Sequence, residues 1–233
     1  GLQFTTMEHT LKMPFNISSG GVSSARAVVT ALELADGTVG IGESAPFPAV
    51  SGETVESTLE VLKQIAARLA ALPPDDAIGF IGCQAFTTEY RHAPAARCGV
   101  EMALLDASLR TAGRSLQDWM PPNVDQITTD ITLPICGTDD ALIFVEDVVS
   151  KGFNTLKIKV GTRDIPDEVS LIAEIARAFP RLTLLLDANC AYDLSSARNL
   201  LRGLDAAQVS IGLLEQPLAK DAFAETATLQ RNT

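Results

Sequence analysis

Basic residues are scarce in this sequence: 18 lysines and arginines stand against 29 aspartates and glutamates, a formal net charge of −11 at pH 7. That balance opposes non-specific attraction to nucleic acid phosphates or anionic membranes, and no basic run reverses it locally. Apolar runs are short too. None approaches the roughly 18–20 residues that span a bilayer, and the N-terminus lacks the basic-then-apolar pattern of a secretory signal. The expected compartment is the cytoplasm and the expected partner a small molecule, with no nucleic acid and no membrane. Cys83, Cys98, Cys136 and Cys190 form no C-x-x-C pair, which argues against a zinc site and a disulfide framework and leaves buried free thiols. His9 and His92 have no partner at metal-ligand spacing. Also missing are a Gly-rich phosphate loop, a G-x-S-x-G elbow and H-E-x-x-H, so the common nucleotide, serine-hydrolase and zincin readings fall away.

What is present suffices for one large domain or two modest ones, since 46% of the 233 residues are hydrophobic. Residues 2–13 alternate and read as a strand, and PFNISSGGVSSA after it reads as a mobile loop. Asp36-Gly37, between the apolar runs 26–34 and 39–43, predicts a hairpin closed by a two-residue type I′ turn. Val55, Leu59, Leu62, Ile65 and Leu69 fall at helical spacing until Pro73-Pro74 ends the pattern. Residues 75–92 carry Gly79 and Gly82 and support no continuous helix. Ala96, Val100, Ala103, Leu104 and Ala107 then make one apolar helical stripe. Pro121-Pro122-Asn123 reads as a linker, which places a domain boundary near residue 125.

Beyond it, strands near 131–135, 155–160, 182–187 and 209–214 alternate with helices, the pattern of a parallel sheet. Periodicity does not separate an open sheet from a closed barrel, which needs eight strands. Lys159 to Asp187 and Asp187 to Glu215 are both 28 residues apart. One βα unit takes roughly 25–30 residues, so this spacing puts the same end of three neighbouring strands on one side. Asp187 and Glu215 are carboxylates suited to a shared Mg²⁺; the competing reading is that each caps the next helix. Lys157 and Lys159 point to one face, where each disfavours protonation of the other and a neutral Lys159 can serve as a general base. The competing reading is a pair of exposed lysines guarding an edge strand. Asn189, just past Asp187, supports a metal ligand, touches a substrate, or only forms a turn.

Taken in order, GIGESAPFPAVSGET at 40–54, VEMALLDASLR at 100–110, and the K-x-K, D-x-N and E-Q-P motifs resemble the enolase superfamily. Within it they resemble the muconate-lactonizing group and its dipeptide epimerases. The resemblance implies an α/β fold: an α+β capping domain at 1–125, then a (β/α)8-type modified TIM barrel of which 126–233 is the first half. It implies a Mg²⁺-dependent epimerase or racemase that abstracts the α-proton of a carboxylate substrate, a dipeptide above all, through an enediolate. Lysine bases working with Mg²⁺ are the chemistry already known for this superfamily. By the resemblance, Lys159 is the base, Lys157 tunes it, and Asp187 and Glu215 hold Mg²⁺. Phe15, Arg26, Thr132 and Asn189 contact substrate, although a packed Phe15 and a surface Arg26 explain those two equally well. N-acylamino acid racemase, o-succinylbenzoate synthase and muconate-type cycloisomerase share this first half. The family's third acidic ligand and second lysine fall beyond Thr233, so the expectation is a truncated product with an uncovered sheet edge, and an inactive fragment or assembly partner is the reading outside enzymes. Homo-oligomerisation stays open.

Overall fold

Three strands begin the chain, β1 (Leu2–Ile17), β2 (Gly20–Glu33) and β3 (Val39–Ser44), in the sheet order β1-β2-β3. The computed structural model describes residues 1–17, 20–124 and 126–231, with the side chains of 12–22 outside the description. Its residues divide into two units, Gly1–Lys12 with Ser24–Asp125, and Met13–Ser23 with Gln126–Thr233. The loop expected over 14–25 is strand at 14–17 and 20–25. Serine and glycine are poor strand formers, but ladder pairing between β1 and β2 outweighs that local preference. The β2–β3 hairpin also differs from expectation. Gly37 N–H bonds to Leu34 O at 3.1 Å and Leu34 N–H to Thr38 O at 2.9 Å, a three-residue loop in which Gly37 takes φ +83° and Asp36 stays out of the left-handed region. This is a type I turn followed by a left-handed glycine rather than a type I′ pair.

Helices α1 (Pro48–Ser51), α2 (Val55–Ala70), α3 (Pro74–Phe80), α4 (Gln84–Glu89), α5 (Pro94–Thr111) and α6 (Leu116–Trp119) follow. Thr54 and Ser57 form a reciprocal capping box at the start of α2, which buries Val55, Thr58, Leu62 and Ile65. The ambiguous stretch 75–92 resolves as two short helices, with Gly82 between them at φ +78°. Strand β3 turns Gly40, Gly42 and Ser44 inward, while Val39 and Ile41 face out. The inward side has no room for side chains: a Cβ on Gly42 would lie 1.9 Å from the Gly99 carbonyl oxygen, and one on Gly40 2.1 Å from that of Ala103. Gly99, Ala103 and Ala107 are four apart on α5, so small residues on both partners let strand and helix backbones touch. Asp106 on α5 accepts the Ile41 N–H at 2.8 Å, satisfying a donor on the sheet edge. Glu53 is buried, and both its oxygens accept the Ala95 N–H at 3.1 Å, capping the first turn of α5.

In the second unit β4 (Ile131–Leu133), α7 (Thr138–Ser150), β5 (Thr155–Lys159), α8 (Ile165–Ala178), β6 (Thr183–Asp187), α9 (Leu194–Ala206), β7 (Leu213–Glu215) and α10 (Phe223–Arg231) alternate. The strands are parallel in the order β4-β5-β6-β7. Leu156 and Ile158 of β5 and Leu184 and Leu186 of β6 are buried in one core with Val145, Ile172, Ile175, Ala197 and Leu200 from the helices. The alternate residues, Thr155, Lys157, Lys159, Leu185 and Asp187, stand on the opposite face. The last strand is shorter than expected. Gln208 takes φ +56° and Val209 N–H bonds back to Leu204 O at 2.9 Å, so the chain is still closing α9 when the apolar run begins. The four thiols are free as expected, but Cys98 is exposed and the others half-buried. Among the described residues no helix is long and apolar enough to cross a membrane.

Helix α9 illustrates how acidic pH acts on the fold. The Asp193 carboxylate accepts the Ser196 N–H at 2.7 Å as N-cap, and these backbone bonds hold its pKa below the usual aspartate value. The cap contributes fully above the unfolded-state pKa and is lost as pH falls through the lowered folded value. Asn also caps well but does not titrate. Asp193→Asn should therefore melt close to wild type at pH 7 and lose less melting temperature than wild type between pH 5 and pH 3, in scans followed by circular dichroism.

Candidate active site

Lys159, Asp187 and Glu215 lie in one row across three strands, Lys159 in register with Asp187 and Asp187 with Glu215. The cause is the 28-residue period: each βα unit returns the chain to the same height in the sheet. Thr132 and Lys157 share the row two residues lower. Strand β5 has a neighbour on each side, so its lysines do not guard an edge. Nor do the acids cap helices, since Asp193 caps α9 and α10 begins at Phe223.

The Lys159 side chain is 9% exposed; its Nζ donates to Asp187 Oδ2 at 2.5 Å and to Asn189 Oδ1 at 2.9 Å. Asp187, 4% exposed, also accepts the Asn189 N–H at 3.0 Å through Oδ1. A charge pair this well buried persists only when both ions are hydrogen-bonded, and Asn189 supplies one bond to each partner. Asn189 thus serves as support and as turn, its φ at +45°. Lys157 Nζ lies 2.9 Å from Glu215 Oε2 and 3.9 Å from Asp130 Oδ2. The Glu215 hydrogen bond, against burial, raises the Lys157 pKa above the ordinary lysine value. That reverses the expected direction at Lys157: its carboxylate partners Glu215, Asp130 and Asp187 outweigh the cost of burial. Asp130 gave no signal in the sequence because it precedes β4 rather than ending a strand.

Cys190 and Gln216 also take positive φ, at +65° and +42°, in the loops after β6 and β7. Left-handed non-glycine residues cost about 1–3 kcal/mol each and need surrounding bonds to persist. Here Cys190 N–H bonds to Gln216 O at 2.7 Å and Tyr192 N–H to Pro217 O at 3.0 Å, tying the two loops together. A buried carboxylate that sequence reading missed, Glu168, ties the loop after β5 to the loop after β6: Oε1 accepts the Gly161 N–H at 2.5 Å, and Oε2 accepts the Tyr192 O–H. Arg26, in the first unit, pairs with Glu56 at 2.9 Å and Glu8 at 3.8 Å and is 42% exposed. Phe15 lies outside the described side chains.

The arrangement offers hard oxygen donors and amines at the carboxyl ends of parallel strands, where (β/α)8 enzymes place their sites. Asp187 and Glu215 suit a hard divalent cation, and adjacent parallel strands about 4.8 Å apart bring their carboxylates within reach of one ion. Among the described residues no group of three or more acidic, histidine or cysteine ligands converges.

Comparison with known proteins identifies the family. Residues 141–233 match the enolase C-terminal domain-like family, and residues 2–120 the mandelate racemase / muconate lactonizing enzyme N-terminal domain. An aromatic dipeptide epimerase from Herpetosiphon aurantiacus is 34% identical over 218 residues, covering 93% of this chain and 60% of that protein. A hydrophobic dipeptide epimerase from Citrifermentans bemidjiense is 33% identical over 215 residues, covering 90% and 58%. A dipeptide epimerase from Enterococcus faecalis, solved with Mg and the dipeptide L-Leu-L-Tyr, aligns at TM-score 0.83 and 27% identity over 100% of this chain and 64% of its own. The substrate-liganded L-Ala-D/L-Glu epimerase from Bacillus subtilis aligns at TM-score 0.86 and 26% identity, over 100% and 65%. The chain thus spans about 60% of the length of the curated relatives it matches. Strands β4–β7 correspond to part of a (β/α)8-type barrel, and the antiparallel first unit to its capping domain. Because the capping-domain match alone covers residues 2–120, just over half of the sequence, the chain belongs to the mandelate racemase/muconate lactonizing enzyme family of the enolase superfamily.

Proposed function

We propose that this chain carries one proton-transferring face of a Mg²⁺-dependent dipeptide epimerase. The observation that carries the reading is the row of Lys159, Asp187 and Glu215, with the Lys159 amine hydrogen-bonded to Asp187 and Asn189. Asp187 and Glu215 would hold Mg²⁺, which on binding lowers the cost of negative charge beside the α-carbon of a carboxylate substrate. With those carboxylates holding Mg²⁺, Asp187 would no longer depend on Lys159 for its counter-charge, and Lys159 in its neutral amine form would take the α-proton to become the ammonium, with Asn189 keeping the amine oriented. Lys157 stays charged and binds the substrate carboxylate, with Thr132 beside it in the same row.

One lysine serves one face of the α-carbon, so exchange of the α-proton is the step these residues support by themselves; inversion needs a donor on the opposite face. The corresponding experiment incubates the protein with Mg²⁺ in D₂O and, separately, L-Ala-L-Glu, L-Leu-L-Tyr and an aliphatic dipeptide. Deuterium entering the α-position of the C-terminal residue of at least one of them is the expected outcome. Absence of incorporation from all three would remove the reading.

A further inference from the structure

A carboxylate 2% exposed, with no cation bonded to it among the described residues, needs a full set of donors, and Glu168 has one. Oε1 accepts the backbone N–H groups of Gly161 at 2.5 Å, Thr162 at 3.2 Å and Arg163 at 3.3 Å, and Oε2 accepts the Tyr192 hydroxyl. The Arg163 guanidinium donates elsewhere, to the Cys136 carbonyl in the loop after β4. Capping of α8 does not explain Glu168, because its N–H donors come from the loop before that helix, ahead of its first residue Ile165. Its donors are instead the loop after β5 and a tyrosine from the loop after β6.

Those two loops are pressed together. Gly161 takes φ +95°, and a Cβ there would fall 2.3 Å from the Ala191 Cβ. Gly161 is two residues past Lys159, and Ala191 and Tyr192 follow Asn189 and Cys190 directly. One carboxylate therefore grips the backbone just beyond the lysine and the loop that carries its hydrogen-bond partner. We infer that Glu168 and Tyr192 are positioning residues for Lys159, fixing its amine against Asp187 and Asn189 by bolting together the loops that end β5 and β6. The inference rests on the reading of Lys159 as the proton-transferring amine, since a base must be held within about 0.5 Å of its working place.

A measurement that uses neither metal nor substrate separates this from the epimerase reading. Trace acetylation of the intact chain with acetic anhydride, quantified lysine by lysine by mass spectrometry, reports how firmly each amine is held. Tyr192→Phe removes one hydroxyl and leaves Glu168 its three N–H donors, so the chain keeps its fold. Lys159 is expected to react about 10-fold faster in Tyr192→Phe, the lower end for loss of an outer-shell bond. Lys157, on the same strand, Lys63 on α2 of the first unit and Lys151 at the end of α7 should not share that acceleration. Glu168→Gln, whose amide oxygen still accepts the loop N–H groups and whose amide N–H can donate to the Tyr192 oxygen, should lie closer to wild type than Glu168→Ala. An unchanged Lys159 rate in Tyr192→Phe, or equal acceleration at all four lysines, overturns the proposal and leaves the pair a general packing element. Failure of Mg²⁺-dependent exchange beside a selective change at Lys159 would count against the epimerase reading alone.

Discussion

Lys159→Met is expected to reduce Mg²⁺-dependent exchange of the substrate α-proton by about 10²–10⁴-fold, the usual contribution of a positioned general base. The same variant should bind Mg²⁺ more tightly than wild type. Without metal, Lys159 neutralises Asp187 across 2.5 Å in a site where the two side chains are 9% and 4% exposed. Methionine fills similar volume but leaves the aspartate charge buried without its cation, a change that typically costs about 3–5 kcal/mol. In chelator the variant should lose stability of that order in denaturant titrations of the second unit. Added Mg²⁺ should recover much of it, because binding only to the folded chain stabilises that state. Calorimetric titration and denaturation, each with and without Mg²⁺, check the two signs together. Unchanged stability in chelator would show that Asp187 is not dependent on the lysine, and unchanged exchange would take the proton transfer away from Lys159.

Gly42→Val should unfold the first unit at far milder conditions than wild type. A Cβ at Gly42 meets the Gly99 carbonyl oxygen at 1.9 Å and the Ala103 nitrogen at 2.7 Å, both backbone atoms of α5 that no rotamer change can move. Overpacking a core with flexible neighbours costs about 1–3 kcal/mol, and a clash against two backbone groups lies above that range. Gly52→Ala is the control: nothing lies within 4 Å of its Cβ, and only the left-handed backbone at φ +76° opposes it. That substitution should cost about 1–2 kcal/mol. Differential scanning calorimetry should show the Gly42→Val transition of the first unit lowered much more than that of Gly52→Ala. Equal shifts would mean that β3 and α5 do not meet backbone to backbone.

The legible parts of this molecule were those that repeat. Alternation along β5 placed Lys157 and Lys159 on one face and Leu156 and Ile158 on the other, because successive strand residues point oppositely. The apolar stripe of α5 was visible as Ala96, Val100, Ala103, Leu104 and Ala107, of which Leu104 is half-buried and the others buried. Local composition misled where long-range pairing took over. The serine and glycine run after Phe15 suggested a loop, and its flanks are strand. Asp36-Gly37 suggested a two-residue turn, and the hydrogen bonds of Leu34 close a three-residue one.

Sequence by itself determined the alternation of strands and helices after residue 126 and the common height of Lys159, Asp187 and Glu215, because a constant βα length of 28 residues translates directly into register between parallel strands. Only the tertiary structure decided which charges pair, that Asp130 joins Lys157, that Gly42 exists to admit α5, and that Glu168 and Tyr192 clasp the loops behind Lys159. These contacts join residues far apart in the chain or in irregular loops, and no period records them. They are set by which backbone donors and buried charges are left to satisfy once the strands are in place.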